Sequence, residues 1–483
     1  MIPNEFEPIT SLSKDNRIYF IGIAGISMVG LAEIALRRGF VIAGSDMHAS
    51  DRTRRLRERG CKIYAYHSRN NILAFRPDLV VRSAAVPANN PEIIAAQEAG
   101  LPLIDRSVFL GALTRQYVNV VNVAGTHGKT TTTGMLAHIM IENQIDATIH
   151  LGGQFTDFDG SSVHIGESNN LFISEACEYN RSFLHFRSSV ACILNIDRDH
   201  MECFADMADL RQSFVDFARC TDGDGTVILP VKGLGCDGLR EEISTAFSNA
   251  GLTAPSFISF GSFEDGADIG FRNLTYDRGY PVFTLVADNR EIAEIRLLIP
   301  GEHNVGNAVA ALACVWALNL DLAAAALAMN TFSGVEGRFT YEGVFYGAKI
   351  YSDYAHHPSA ITATLKAVER LPVRKIHTVC QPLTYTRLKL LFDEYVRALQ
   401  ASESLLICEV YTDREQSDLG MSSQLLVEAI NQNGGLAEFC TNYEDIKKRL
   451  TARCQPGDII LFLGPEEVRH YGRLLGLEQR RDA

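Results

Sequence analysis

What the chain lacks narrows its class first. Its 483 residues include eleven cysteines, an odd number, and no two of them form a C-x-x-C pair, so a paired-cysteine zinc site has no support. Cys192, Cys314 and Cys408 lie inside apolar runs, the pattern of reduced, buried thiols in a cytoplasmic protein. Positive charge is short as well. The 45 Lys and Arg face 58 Asp and Glu, a formal net charge of -13, which argues against a broad footprint for nucleic acid or anionic lipid. Any anionic ligand must then be met by local donors. The longest apolar run, "AVAALACVWAL", is far short of a membrane span, and "MIPNEFEPITSLSKDNR" has no basic start leading into an apolar core. Short-period repeats and low-complexity tracts are missing too. The expectation is a cytoplasmic protein of about three domains.

What is present is a strand-turn-helix pattern that starts three times. The first start, "RIYFIGIAGISMVGLAEIALRRGFVIAGSD", reads as the opening of a βαβ unit. The second, "VNVVNVAGTHGKTTTTGML", is followed by "NLFISEA" and "SVACILNIDRDH", two strands of the fully buried parallel type. From about Thr221 to Arg296 the alternation is irregular, and antiparallel strands are expected there. The third start is "AKIYSDYAHHPSAITATLKAVER", with further strands at "KIHTVCQP", "SLLICEV" and "DIILFLG". Linkers are expected near Arg115 to Tyr117 and near Val335 to Arg338. The fold class is α/β with largely parallel sheets.

The second start carries the strongest chemistry. In "GTHGKTT" the backbone N–H groups of Gly125, Thr126, Gly128 and Lys129 are expected to converge on an anion at a helix N-terminus. Lys129 would neutralise phosphate charge and the Thr130 hydroxyl would meet Mg²⁺. A strict phosphate loop wants glycine where Val123 stands, and the bland reading is a capped helix beside a solvated lysine. Glu175 follows one buried strand and Asp199 and His200 follow another, which places a carboxylate and an imidazole at the same sheet edge for a second cation.

Other stretches are weaker alone. Asn304 and Asn307 in "GEHNVGN" share a helix face on which two amides could read a base, unless Asn304 is simply an N-cap. "GIAGISM" resembles a dinucleotide fingerprint with Ala24 in place of the second glycine, and a ligand-free glycine turn is an even alternative. "GSD", with Ser45 and Asp46, lies where a ribose-reading acid belongs. "SDYAHHP" reads as a substrate loop, since adjacent His356 and His357 point different ways, and Arg387 offers a fork for a carboxylate, with an ordinary surface arginine as the competing reading.

Taken in order, "GIAGISM", "GSD", "GTHGKTTTT", "EACEYNRSF", "NIDRDH", "GEHNVGN", "GRF", "DYAHHP" and "QPLTYTR" resemble the Mur ligase family along essentially the whole chain. The resemblance implies a UDP-sugar-binding Rossmann-like domain (1–116), a central ATP-binding domain (117–336) and a C-terminal Rossmann-like domain (337–483). In this family the shorter loop "GTHGKT" is the norm, which answers the objection of Val123. The resemblance further assigns ATP to Gly125, Thr126, His127, Gly128, Lys129, Thr130, Thr131, Asn304, Asn307, Arg338 and Asp353, and Mg²⁺ to Thr130, Glu175 and His200. Gly22, Gly25, Met28, Ser45 and Asp46 would meet the UDP-sugar, and Tyr354, His356 and Arg387 would position an incoming amino acid.

The implied reaction joins L-alanine to the lactoyl carboxylate of UDP-N-acetylmuramate through an acyl phosphate, with Lys129, Glu175 and His200 as its catalytic groups. Neither Phe214 nor Val215 is the modified lysine of the sister ligases that add later residues. Ser27, Ser352 and Leu383 depart from the family pattern, as does "LFLGPEEV". Rival expectations are a ligase that attaches a whole peptide to the same sugar nucleotide, and a nucleotide-binding relative that does not ligate. A homodimer is the candidate assembly for the ligase reading.

Overall fold

The computed structural model describes all residues except 1–5, 7–8, 10–11, 48–49, 413–414, 416 and 482–483. The chain packs as two compact units, one formed by Met1–Ile196, Ala205–Phe260 and Ala310–Ala325, the other by Asp197–Phe204, Gly261–Val309 and Ala326–Ala483.

In the first unit, strands β1 (Arg17–Ile21), β2 (Val41–Ser45), β3 (Lys62–Tyr64), β4 (Leu79–Arg82) and β5 (Leu103–Asp105) form a sheet in the order β3-β2-β1-β4-β5. All its pairings are parallel. Tyr19, Ile21, Ala43, Val80 and Ile93 fill one of its faces. Parallel order brings every strand's carboxyl end to one edge, and there the turn Gly22–Gly25 leads into helix α1 (Ile26–Arg37). Gly22 has φ +80 and sits against Val86 and Ser83. Helix α2 (Arg106–Thr114) starts directly after β5, at the same edge.

The same unit holds a second sheet. It is built from β6 (Asn119–Ala124), β7 (Thr148–Phe155), β8 (Ser161–His164), β9 (Leu171–Ala176), β10 (Ser188–Ile193), β11 (Thr221–Pro230) and β12 (Ser256–Ser262). Its order there runs β12-β11-β10-β6-β9-β7-β8, parallel except for the β7–β8 pair. The apolar runs of β6, β9 and β10 are buried on both faces, as a central parallel position requires. Their register sets Ala124 beside Ala176 on one side and Ile193 on the other. The loop that follows β6 and leads into helix α3 (Lys129–Glu142) therefore lies between the ends of β9 and β10.

The irregular stretch after Thr221 is only partly antiparallel. β11 and β12 are parallel, joined through a helix at Leu239–Asn249. Only β13 (Ile269–Asp277), β14 (Tyr280–Ala287) and β15 (Arg290–Arg296), in the second unit, form an antiparallel meander. Its turns use positive φ at Arg278 and Gly279 and at Asp288 and Asn289, as two-residue hairpins demand.

The second unit also contains a sheet of β16 (Thr340–Phe345), β17 (Ala348–Asp353), β18 (Ile376–Cys380), β19 (Leu405–Cys408), β20 (Ala437–Cys440) and β21 (Ile459–Leu463), in the order β16-β17-β21-β18-β19-β20. Only the edge pair β16–β17 is antiparallel. Helices α4 (Glu302–Ala317), α5 (Pro358–Glu369), α6 (Tyr385–Leu390) and α7 (Phe392–Leu399) carry the residues of interest. No helix among the described residues is long and apolar enough to cross a membrane.

Candidate active site

The loop after β6 is held by a residue the sequence reading did not assign. Asn195, just past β10, accepts the His127 N–H at 2.8 Å through its side-chain oxygen and donates to the His127 carbonyl at 2.9 Å. Its own carbonyl accepts the Thr126 N–H at 3.2 Å. Thr126 is thereby removed from the expected anion cradle, a correction to the sequence reading. The first turn of α3, from Lys129 to Thr131, carries no side-chain cap. Gly125 has φ +135, and a Cβ there would come within 3.0 Å of Leu194 and 3.1 Å of the Asn195 nitrogen. Gly128, with φ +86, turns the chain into the helix.

Lys129 folds back on this loop. Its ammonium donates to the Gly125 carbonyl, to the Thr126 carbonyl at 3.2 Å and to Glu178 at 2.8 Å. Burial works against its charge, but Glu178, with Cys177 and Glu175 beside it, holds the Lys129 pKa above its ordinary value. Glu178 is itself buried and was also missed, although it lies three residues after Glu175 in "EACE". Glu175 accepts the Thr130 hydroxyl at 3.0 Å and the Gly152 N–H at 2.5 Å. A hydroxyl and a carboxylate at this separation are hard oxygen donors of the kind Mg²⁺ takes alongside water and phosphate. Phosphate oxygens would compete with Glu178 for Lys129.

At the edge of the first sheet, Gly22 and Ile23 donate to the Ser45 carbonyl at 2.9 and 3.0 Å, and Ala24 donates to Asp46 at 3.0 Å. The Asp46 carboxylate therefore braces the glycine turn. Met28 is buried, and the buried Ser45 hydroxyl donates to Glu92. Glu92 also accepts Tyr19 at 2.8 Å and Asn71 at 2.7 Å, and it meets His67 at 3.0 Å. Burial opposes the Glu92 charge, yet His67, Ser45 and Asn71 together keep its pKa below the ordinary value. The hydrogen bond to Glu92 in turn raises the His67 pKa.

The second unit presents another set. The Asn304 side chain donates to the Pro300 carbonyl at 2.7 Å, and Asn307 donates to Asn304 at 3.0 Å. Because α4 begins at Glu302, Asn304 lies inside its first turn and is not the N-cap. Asp353 accepts the N–H of Phe339 at 2.9 Å and of Ala355 at 2.7 Å, and burial raises its pKa. Tyr354 lies between two guanidinium groups, Arg338 at 5.0 Å and Arg469 at 5.2 Å from its ring centre. Arg469 stands beyond "LFLGPEEV", where the family pattern gave no guidance.

The expected carboxylate fork at Arg387 is already engaged. Arg387 donates to one Asp199 oxygen at 2.9 and 2.7 Å and to the Leu383 carbonyl at 3.1 Å. Burial opposes the Asp199 charge, but Arg387 holds the carboxyl well below its usual range. His200, the next residue, adopts φ +55 and lies 3.6 Å from Glu202. His356 donates to the Tyr354 carbonyl at 2.7 Å, and burial keeps its imidazole neutral. His357 instead caps α5 through Ser359 at 3.3 Å and reaches the Arg198 carbonyl at 3.1 Å, so the two adjacent rings do part. Ser352 donates to Glu342. A cleft of about 610 Å³ between the start of α4 and helices α5 and α7 is lined by Glu302, His303, Lys366, Arg370 and Arg397 among others, and by none of the residues assigned above.

This succession of sheets, with a phosphate-type loop in the second, has counterparts among known proteins, and these define its class as a ligase. Residues 17–118 match the Mur ligase family catalytic domain, 123–315 the Mur ligase middle domain and 337–465 the Mur ligase glutamate ligase domain. The chain belongs to the Mur ligase family. A UDP-N-acetylmuramate–L-alanine ligase of Acetivibrio thermocellus is 38% identical over 96% of this chain and 96% of its own length. One of the same name from Lachnospira eligens is 38% identical over 94% and 96%. Among solved structures, the UDP-N-acetylmuramate-alanine ligase of Thermotoga maritima is similar with a TM-score of 0.79 and 25% identity, covering 97% of this chain and all of that one. A murein peptide ligase from Psychrobacter arcticus shares the fold with a TM-score of 0.67, covering 96% and 98% at 24% identity.

Proposed function

We propose that this chain catalyses ATP-dependent ligation of L-alanine to the lactoyl carboxylate of UDP-N-acetylmuramate, a step of peptidoglycan precursor synthesis in the cytoplasm. The observation that carries the reading is the set of Lys129 and Thr130, in the first turn of α3, with Glu175 and Glu178 at the end of β9. It stands in a chain 38% identical, over 96% of its length, to a ligase of that name.

The first turn of α3 and Lys129 receive the ATP phosphates. Asn304, Asn307, Arg338 and Asp353 are the remaining nucleotide contacts in this proposal, and Gly22, Gly25, Met28, Ser45 and Asp46 those of the UDP-sugar. The assigned magnesium contacts are Thr130, Glu175 and His200; the cation would offset charge on the transferring phosphoryl group. Attack by the lactoyl carboxylate on the γ-phosphorus forms the acyl-oxygen–phosphorus bond and releases ADP. The alanine amine then attacks the acyl carbon, loses a proton and expels phosphate. Lys129 stabilises the phosphate charge in both steps. Tyr354, His356 and Arg387 position the amino acid, which requires its carboxylate to share or displace Asp199 at Arg387.

Phosphate release from ATP and Mg²⁺ with UDP-N-acetylmuramate tests the reading, run with L-alanine, glycine, L-serine or a muropeptide-derived tripeptide. Turnover with L-alanine is expected. Turnover with the tripeptide alone would assign the chain to peptide attachment, and silence with every acceptor would overturn ligation.

A further inference from the structure

Ser27 is one of the places where this chain leaves the family pattern, and its surroundings are unusual. Its hydroxyl accepts Arg106 Nη1 at 2.8 Å and meets His150 Nε2 at 3.0 Å. Burial and the neighbouring Arg106 push the His150 pKa down to about 4, so the imidazole is neutral and Arg106 is the charge of the group. That charge has no carboxylate partner within ion-pair distance among the described residues. Asp105, adjacent in sequence, is taken by Arg82 at 2.6 Å. Glu175 is near enough to act on Arg106 through space, but its oxygens serve Thr130 and the Gly152 N–H. Removal from water works against the guanidinium, yet the residue is not sealed off and remains partly exposed. A desolvated, accessible arginine that donates to a neutral hydroxyl is a strong receptor for an anion.

Its place in the fold says which anion. Arg106 begins α2 at the carboxyl edge of the first sheet, the edge that carries the Gly22–Gly25 turn, and Ser27 lies on the helix that follows that turn. It also lies within electrostatic reach of Glu175, which contacts the phosphate loop through Thr130. A substrate whose nucleotide rests on the turn and whose carboxylate must reach the phosphoryl group passes between these two points. We propose that Arg106, oriented by Ser27, binds the carboxylate of the acyl substrate and positions it for phosphorylation. The inference rests on the function proposed above.

The sugar nucleotide offers two anions, its carboxylate and its diphosphate, and two ligands separate them. UDP-N-acetylglucosamine keeps the diphosphate and lacks the lactoyl carboxylate. Binding of each to the full-length protein is measured calorimetrically for wild type, Arg106→Gln, Arg106→Lys and Ser27→Ala. Arg106→Gln is expected to weaken UDP-N-acetylmuramate by about 10- to 100-fold, the effect of losing a charge-assisted pair, and to leave UDP-N-acetylglucosamine within about twofold. Arg106→Lys should recover part of that loss, and Ser27→Ala should show the same selectivity to a smaller degree.

In turnover, the Arg106→Gln defect should fall on KM for the sugar nucleotide and on kcat, not on KM for ATP. Equal weakening of both ligands would transfer Arg106 to the diphosphate and overturn the assignment. Unchanged binding of both by folded variants would overturn it as well while leaving the proposed function standing. If Arg106→Gln does not fold, Arg106→Lys and Ser27→Ala decide by the same comparison. A wild type that binds neither ligand removes the proposed function itself.

Discussion

Lys129 illustrates how one side chain serves two states. Its ion pair with Glu178 satisfies a buried ammonium, and in the proposed reaction the same ammonium turns to phosphate. Lys129→Ala should therefore abolish ADP formation, a loss of at least about 10³-fold by analogy with other lost phosphoryl-transfer charges. UDP-N-acetylmuramate binding should stay within about threefold, since the contacts proposed for it lie on the first sheet. Calorimetry beside a coupled ADP assay measures both, and loss of sugar-nucleotide binding would contradict the site assignment.

His67 gives a second prediction at this scale. Its folded pKa is raised, chiefly by the hydrogen bond to Glu92, so its stabilising contribution is complete below its unfolded value of about 6.5 and is lost as pH rises through the folded value. The Glu92 pKa is lowered, so its contribution is present above about 4.3 and is lost on acidification. An imidazole titration by NMR should show a His67 midpoint above 6.5 that falls back in Glu92→Gln. A midpoint below 6.5 in the wild type would mean that burial dominates.

At the level of elements, the loop between β6 and α3 owes its shape to the end of β10 as much as to its own glycines. Asn195→Ala removes both side-chain bonds to His127 while leaving the strand intact. The expected result is a rise in KM for ATP of about 10-fold, with thermal stability lowered by about 1–2 kcal/mol. An unchanged KM would show that Gly125 and Gly128 suffice.

The three strand-turn-helix starts, the parallel central strands and the loop at Lys129 were all visible in the sequence, because buried β-branched runs and glycine turns are local signals. The helical link between β11 and β12 and the edge strand β20 were not. Their short or mixed runs take their state from neighbours. Glu178, Asn195, Arg106 and Arg469 escaped for a related reason: each becomes significant only through a partner distant in sequence or through the fold around it. Arg387 shows the opposite limit, since its type and position were legible but its pairing with Asp199, 188 residues away, was not.

For the whole molecule, the central question is whether carboxylate activation precedes amide formation. The arrangement at Lys129, Thr130 and Glu175 suits transfer of a phosphoryl group to an oxygen nucleophile, and the acceptor nearest in chemistry is the lactoyl carboxylate. If the reaction passes through an acyl phosphate, one carboxylate oxygen must leave with the phosphate, because the carbon–oxygen bond broken in the second step is the one whose oxygen was phosphorylated. UDP-N-acetylmuramate labelled with ¹⁸O in both lactoyl oxygens should therefore yield inorganic phosphate carrying one ¹⁸O per turnover, with the other retained in the amide carbonyl. Mass spectrometry of the released phosphate makes the measurement, with unlabelled substrate in ¹⁸O-water as the control for hydrolysis. Phosphate free of substrate-derived label would exclude carboxylate phosphorylation and, with it, the role given to Arg106. One label with L-alanine present, together with no label from water, would tie ATP cleavage to amide formation.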